Sequence, residues 1–425
     1  MRILRVPADK PSRGGLLALA AAAVVVVALV SVRSPATARR ADVPGSTSVP
    51  VVPASSIGTS PRRLTGGSRA VRHFEYVLPD GEIDVYDIDR AHRLVQRIRM
   101  PQTRGVRGVV ASPRTRMLYV SYGGNGGAVG NGSMLAYDLV RGRVLWQRDY
   151  GSGVDSMAIT PNGRTIYMPT GERSSTSDWL VIRAATGEPT DTIRAGAGPH
   201  NTVVGLDAAY VYLGGRNDDF LAVASTSTNE VVRKVGPFRS GVRPFTINGA
   251  QTLAFTTATG FLGFQVSSLL TGRVLYTVDL GDYGFTYDPA TFSPSTPSHG
   301  ISLSPDEKQI YVIDVPNSYV HVFDVSGLPS VPPRHLKDVK LAHLLVGSES
   351  PCLYDCERDG WLQHSRDGRY VYVGDSGDVI STKTRSVALF LPSLRNTLKS
   401  LEIDWRKGIP VATTSRHGLG YVRPR

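Results

Sequence analysis

The chain has 425 residues, 41% apolar and 20% charged, with 44 glycines and 28 prolines. It is too apolar for general disorder and does not suit a collagen-like fibre. The net charge is +12, but residues 1–72 carry +9 of it and the remaining 353 residues only +3. A nucleic-acid surface would need its basic stripe in the folded part, so no nucleic-acid partner is expected.

Arg2, Arg5, Lys10 and Arg13 precede an apolar run over residues 15–32, closed by Arg33. A basic flank of this kind stays cytoplasmic, and whatever follows is exported. The run is at the lower limit for crossing a bilayer, and Ala36-Thr37-Ala38 offers a small-residue cleavage site beyond it. Residues 1–38 therefore read as a signal peptide or a signal anchor, with an N-terminal hydrophobic helix holding the membrane if uncleaved. Residues 39–72 are rich in Ser, Pro, Thr and Gly and read as a flexible tether. The folded domain is expected over 73–425.

Self-comparison reveals a repeat. Residues 111–122, 159–170, 303–314 and 364–375 each place a Pro, Asp/Asn and Gly turn before an alternating strand carrying a tyrosine. Residues 204–215 and 247–258 fit the same frame without the full turn, and a second alternating segment follows most copies, as at 134–150, 179–195, 220–235, 261–280 and 319–330. Period-2 alternation with short polar turns describes four-stranded antiparallel modules. An open sheet of so many strands would leave exposed edges, whereas radial repetition keeps them short.

Taking Tyr119, Tyr167, Tyr212, Phe255, Tyr311 and Tyr372 as second-strand anchors, with Val411 as a seventh, gives spacings of 39 to 61 residues. The expectation is an all-β fold, a seven-bladed β-propeller. Residues 82–100 read as the two outer strands of a shared blade, and the stretch from Leu401 to Ser415 as its two inner strands, so that the two chain ends close the ring.

The unit G-x-x-P/x-x-x-x-S-P-D-G-x-x-x-Y-V, followed by V-x-D-x-x-T-G-x-V, resembles the YVTN-type repeat of exported bacterial β-propellers, the YncE-like group, over about residues 75–422. In that repeat the residues just before S-P-D-G form the innermost strand, lining the channel. Twelve residues before each anchor stand Arg107, Asp155, His200, Arg243, His299, Gly360 and Lys399, and Trp361 follows Gly360. If these side chains converge, they favour a small anion: arginines clamp oxyanions in pairs, Lys399 adds a point charge, and His200 and His299 donate or titrate. The alternative is that they only hydrogen-bond neighbouring inner strands. Should the site be catalytic, His200, His299 and Asp155 are the candidates.

Cys352 and Cys356 are expected to pair as a local disulfide in an oxidising compartment, since only two cysteines occur and few ligands for a metal lie near them. The insertion at 281–299 bears Tyr283, Phe285, Tyr287 and Phe292, and the stretch from Leu341 to Leu362 holds the two cysteines. Both join an outer strand to the next inner strand and so lie on the face of the ring. The Gly-rich loop 122–133 mimics G-x-G-x-x-G without the strand-to-helix context that a nucleotide site needs. Asp138, Asp314, Asp324 and Asp375 read as turn residues, not metal ligands. No cofactor and no metal is expected.

Two function classes remain. The first is a non-catalytic binding or scaffold module, held outside the cytoplasmic membrane or secreted, with a small anion or a protein partner on its upper face. The second is a propeller enzyme: YVTN-type lactonases and the heavy chains of quinone-dependent amine dehydrogenases (quinoproteins) are similar in fold. No sharp catalytic motif supports the second, and the binding module is preferred.

Overall fold

The computed structural model describes residues 60–414 except 129, 152, 174–175, 293–295, 342–343 and 345–357. The expected export segment, the tether up to residue 59 and the Cys352–Cys356 pair lie outside the described residues. No helix among the described residues is long and apolar enough to cross a membrane.

A single helical turn, α1 (Pro61–Thr65), precedes β1 (Arg72–Val77), β2 (Glu82–Asp87) and β3 (Arg93–Arg99). Six four-stranded antiparallel sheets follow. Blade one is β4 (Val106–Ser112), β5 (Met117–Tyr122), β6 (Ser133–Asp138) and β7 (Arg143–Asp149). Blade two is β8 (Ala158–Ile159), β9 (Thr165–Pro169), β10 (Asp178–Arg183) and β11 (Glu188–Arg194). Blade three is β12 (Pro199–Val204), β13 (Tyr210–Gly215), β14 (Leu221–Ser225) and β15 (Val231–Val235). Blade four is β16 (Val242–Ile247), β17 (Leu253–Ala258), β18 (Gly263–Ser268) and β19 (Val274–Asp279). Blade five is β20 (Ile301–Leu303), β21 (Gln309–Asp314), β22 (Tyr319–Asp324) and β23 (Arg334–Lys340). Blade six is β24 (Trp361–His364), β25 (Tyr370–Gly374), β26 (Asp378–Ser381) and β27 (Ser386–Phe390). The seventh sheet gathers β28 (Ser400–Arg406) and β29 (Ile409–Thr413) with the first three strands in the order β29-β28-β1-β2-β3.

The seventh blade corrects one expectation. The N-terminal part supplies three strands, not two, and the C-terminal part supplies one inner strand, β28, whose free edge then takes β29 as a fifth strand. The second strand is β1, with Tyr76 buried at 1% exposure, so Val411 in β29 is not an anchor. The chain is open between the first and second strands of this blade, where other blades have their Pro-Asp-Gly turn. The signal that marks a second strand elsewhere is therefore missing here. The same stretch before β1 is anchored: Thr65 is fully buried, Gly408 N donates to Thr65 Oγ1 at 3.2 Å, and Arg62 reaches the Val140 carbonyl at 2.8 Å.

The repeated turn has a shared mechanism. Thr160, Ser304 and Ser365 each hydrogen-bond the Asx two residues on, Asn162, Asp306 and Asp367, at 2.7, 2.6 and 2.7 Å. That Asx accepts a backbone N–H two residues further still. The residue between sits in the left-handed region at Gly163, Glu307 and Gly368, which is why glycine recurs there.

First strands of successive blades touch one another around the axis, and those of blades three and four are buried along their whole length, whereas β7 and β11 on the outside are largely exposed. The core lies between blades rather than within them. Seven apolar clusters sit at the seven seams; in one, Tyr86, Ile88 and Leu94 of the closing blade meet Tyr372, Val379 and Leu389 of blade six. The anchor tyrosines place their rings in these seams, and two of them put their hydroxyls on the next blade: Tyr212 donates to Gln251 Oε1 at 3.1 Å, and Tyr372 faces His92 Nε2 at 2.9 Å.

Candidate functional site

The inner strands all begin at one end of the channel, and the twelve-residue spacing before the anchors of blades one to six brings one residue there per blade; Lys399, counted from Val411, joins them because it directly precedes β28. Arg107 lies in β4, His200 in β12 and Arg243 in β16; Asp155, His299, Gly360 and Lys399 stand just before β8, β20, β24 and β28. The structure joins them. Arg107 Nη2 donates to Asp155 Oδ2 at 3.0 Å, and the same oxygen faces His200 Nδ1 at 3.0 Å. His200 Nε2 lies 3.4 Å from His299 Nε2, and His299 Nδ1 donates to the Gly360 carbonyl at 3.2 Å. Lys399 Nζ sits 3.8 Å above the Trp361 ring and 3.4 Å from Ser156 Oγ, and the His299 ring is 5.1 Å from the indole. Arg243 joins through a residue that the spacing did not reveal.

That residue is Glu172, in the connection from β9 to β10. Its Oε2 accepts from Arg107 Nη2 at 2.5 Å; its Oε1 accepts from Arg216 Nη1 at 2.8 Å and Arg243 Nη1 at 3.4 Å, with His200 Nδ1 at 3.3 Å. The Gly-rich loop makes room for it. Gly126 has φ +62°, and a Cβ there would stand 2.7 Å from Glu172 Oε2; the Gly126 carbonyl accepts the Arg173 N–H at 2.8 Å. The loop thus serves a carboxylate of the chain itself, and no helix follows it.

Arg216 was missed too. Glu172 stands five residues beyond Tyr167 and Arg216 four beyond Tyr212, so both lie just past the second strands but at no constant step from the anchors. The expected ring of cations with one acid is therefore corrected: two carboxylates, Asp155 and Glu172, face the cations. Asp155, Glu172, His200, Arg243, His299 and Lys399 are buried, while Arg107 and Arg216 side chains each keep 17% exposure and give the cluster its contact with solvent.

Burial opposes ionisation of Asp155, yet Arg107, His200 and Lys399 hold its carboxyl well below the ordinary range. Burial and Asp155 push Glu172 up, and His200, Arg107 and Arg243 outweigh them, leaving it below its usual value. Arg243 is brought down to about 10 by burial and the neighbouring Arg216, so it stays charged at neutral pH. Burial and Arg243 lower His200 to about 4 and His299 well below its ordinary value, so both are neutral imidazoles. Burial raises Asp359 to about 6 against the pull of Arg243. Asp375 Oδ2 receives the N–H groups of Asp359 and Gly360 at 3.1 Å each, which fixes the segment ending at Trp361.

Asp155, Glu172 and His200 place possible ligand atoms close together. Arg107, Arg216 and Arg243 already use those oxygens, and a metal ion would sit among three guanidiniums; the chemistry suits an anion. The aromatic side chains of the insertion pack away from the ring. Phe285 lies on Tyr319 and His321, Tyr283 on Phe323 and His335, and Tyr287 on Phe292, all over blade five or within the loop. Asp138, Asp314, Asp324 and Asp375 each accept backbone N–H groups of nearby turns, as expected.

No family model and no curated relative matches the chain. Among solved structures, 1624 chains match, so likeness of fold does not discriminate function here. Hydrazine synthase of Kuenenia stuttgartiensis is one of them, at 15% identity and a TM-score of 0.50, covering 73% of this chain and 87% of that one. At that identity the likeness carries the propeller fold alone.

Proposed function

We propose that this chain is an exported β-propeller, tethered to the membrane or released after residue 38, that acts as a binding module rather than an enzyme. Its ligand is a small anion bearing a carboxylate or phosphate, taken by Arg107, Arg216 and Arg243 with Lys399 and Trp361 beside them. One observation carries the reading: Glu172 sits as a carboxylate ligand would, gripped by three guanidiniums at 2.5 to 3.4 Å. Three arginines directed at one carboxylate, with Lys399 over an indole nearby, form an anion cradle now filled from within.

In this reading an incoming carboxylate exchanges for Glu172, starting from the exposed edges of Arg107 and Arg216. His200 and His299, held neutral, supply polar contact without repelling a donor. Trp361 offers a flat apolar wall to the remainder of the ligand.

The test is calorimetric titration of succinate, citrate and inorganic phosphate into the full exported domain, its Glu172→Gln variant and an Arg107→Ala/Arg243→Ala double variant. Glu172→Gln should bind at least about tenfold more tightly, because a neutral amide competes less for the guanidiniums, a difference near 1.4 kcal/mol. The double variant should bind none. Absence of heat in both the unmodified protein and Glu172→Gln would overturn the proposal.

A further inference from the structure

A second cluster of chemistry-bearing side chains lies away from the ring, in the outer half of blade five. His321 on β22 stands opposite Asp338 on β23. His335 is three residues before Asp338, which on a regular strand would put it on the other face. The register shifts between Val322 and Phe323, pairing Phe323 with His335, so the extra residue of the bulge turns His335 to the side of Asp338. His321 Nδ1 lies 2.7 Å and His335 Nε2 2.6 Å from Asp338 Oδ1.

We propose that His321 Nδ1, His335 Nε2 and Asp338 Oδ1 bind one divalent transition-metal ion of the zinc class. The three atoms lie within 4.8 Å of one another. Two imidazoles and a carboxylate form the donor set such ions prefer, with a fourth position for water. Metal–ligand bonds of about 2.0–2.1 Å in tetrahedral arrangement separate neighbouring ligand atoms by roughly 3.3 Å, so each imidazole nitrogen need part from Asp338 Oδ1 by only about 0.6–0.7 Å.

The outer partners support this independently of the donor set. His321 Nε2 faces Asp314 Oδ2 at 3.2 Å, and Asp314, fully buried, is fixed by the Asn317 backbone N–H at 3.0 Å and by Asn317 Nδ2. A carboxylate on the far nitrogen is the usual partner of a metal-bound imidazole; it sets the tautomer and turns the Nδ1 lone pair inward. His321 Nδ1 in turn faces Asp338 Oδ1 at 2.7 Å, so the ring lies between two carboxylates, one behind it to orient it and one in front to share an ion.

Burial and charge agree. His321 is fully buried, while His335 and Asp338 side chains are 26% and 33% exposed, which leaves a route for an ion and an open coordination position. Asp314 and Asp338 balance a dication. Two basic groups of the same strand are engaged elsewhere: Arg334 pairs with Asp324 at 2.9 Å, and Lys340 lies over the Tyr319 ring. Phe285 stands edge-on to His321 with centroids 4.4 Å apart, and Tyr283 lies over His335 at 4.9 Å. Both belong to the insertion that continues to His299, so the ion would pin that loop to the blade and steady the segment entering the ring.

The experiment uses untagged protein stripped with chelator. Zinc titrated by calorimetry should bind at one ion per chain, and cobalt(II) in its place should develop the visible absorption of a tetrahedral nitrogen–oxygen site. His335→Ala and Asp338→Ala should each weaken zinc at least 100-fold, with His73→Ala, at a separate cluster with Glu402 and Asp404, unchanged. Failure of the unmodified protein to take up zinc or to develop the cobalt spectrum would overturn the proposal, and so would full retention of zinc in both site variants. Because the cobalt spectrum is read on unmodified protein, a variant that fails to fold does not remove the test.

Discussion

Glu172 shows how a single side chain sets the character of the channel entrance, and the backbone that admits it is a sharp place to test. At Gly126 an alanine would carry two penalties: a left-handed φ of +62° and a Cβ 2.7 Å from the Glu172 carboxylate. Gly130, in the same loop, shares a left-handed φ of +83° but has nothing within 4 Å of an added Cβ. Gly130→Ala therefore measures the backbone term alone, about 1–2 kcal/mol. Gly126→Ala should cost a further amount of about 1–3 kcal/mol in denaturant unfolding. Equal costs at the two positions would mean that the loop does not cradle Glu172. The inner ring was legible in the sequence because the step from the start of the first strand to the aromatic anchor is constant in blades one to six; Lys399 was reached from Val411, which is not an anchor. Glu172 and Arg216 were hidden because they lie past the anchors, in second-to-third-strand connections that differ in length from blade to blade.

At the scale of elements, every blade carries the same irregularity. The register between third and fourth strands shifts in all seven, at Val85/Tyr86, Ala136/Tyr137, Val181/Ile182, Val223/Ala224, Val266/Ser267, Val322/Phe323 and Val379/Ile380. A bulge there adds the twist by which the outer strand follows its neighbours, and only in blade five does it gather two histidines and an aspartate. No alternation pattern announces a bulge, so this cluster could not be seen in the sequence. The closing blade was legible in outline and wrong in its strand count, since β1 has no turn before it to mark it. That blade is also where pH should act. His73 on β1 lies 2.9 Å from Asp404 Oδ1 and 3.2 Å from Glu402 Oε1 on β28, and those carboxylates raise it to about 10. A histidine raised in the folded state stabilises fully below its unfolded value near 6.5 and loses that contribution as pH climbs through 10. The thermal midpoint should therefore fall between pH 7 and 10.5, and less steeply in His73→Gln. Parallel profiles for the two proteins would show that the imidazole does not clasp the ring.

Over the whole molecule, closure depends on seven seams whose polar atoms are few and buried, and several are histidines held neutral. His92 meets Tyr372 between the closing blade and blade six at 2.9 Å, His364 meets Ser302 between blades six and five at 2.7 Å, and His200 and His299 face each other in the ring. Burial leads in all four: His92 and His200 fall to about 4, His364 to about 3, and His299 well below its ordinary value. A base whose folded value is depressed favours unfolding as pH drops, because the unfolded chain takes up a proton near 6.5 that the folded one refuses. Each such histidine adds a slope approaching ~1.4 kcal/mol per pH unit between its two values. His73 works the other way and is already saturated in this range, so it offsets nothing here. The four histidines should accordingly draw stability down from pH 6.5 downward and take up protons on unfolding, partly offset by Asp359 and Glu402, which burial raises to about 6 and about 7 so that they already hold protons in the fold. Calorimetry at pH 5 in two buffers of different ionisation heat counts those protons directly. His364→Asn retains a polar atom for Ser302 and should lower the count by about one proton; an unchanged count in His364→Asn would mean that this seam does not hold a neutral imidazole.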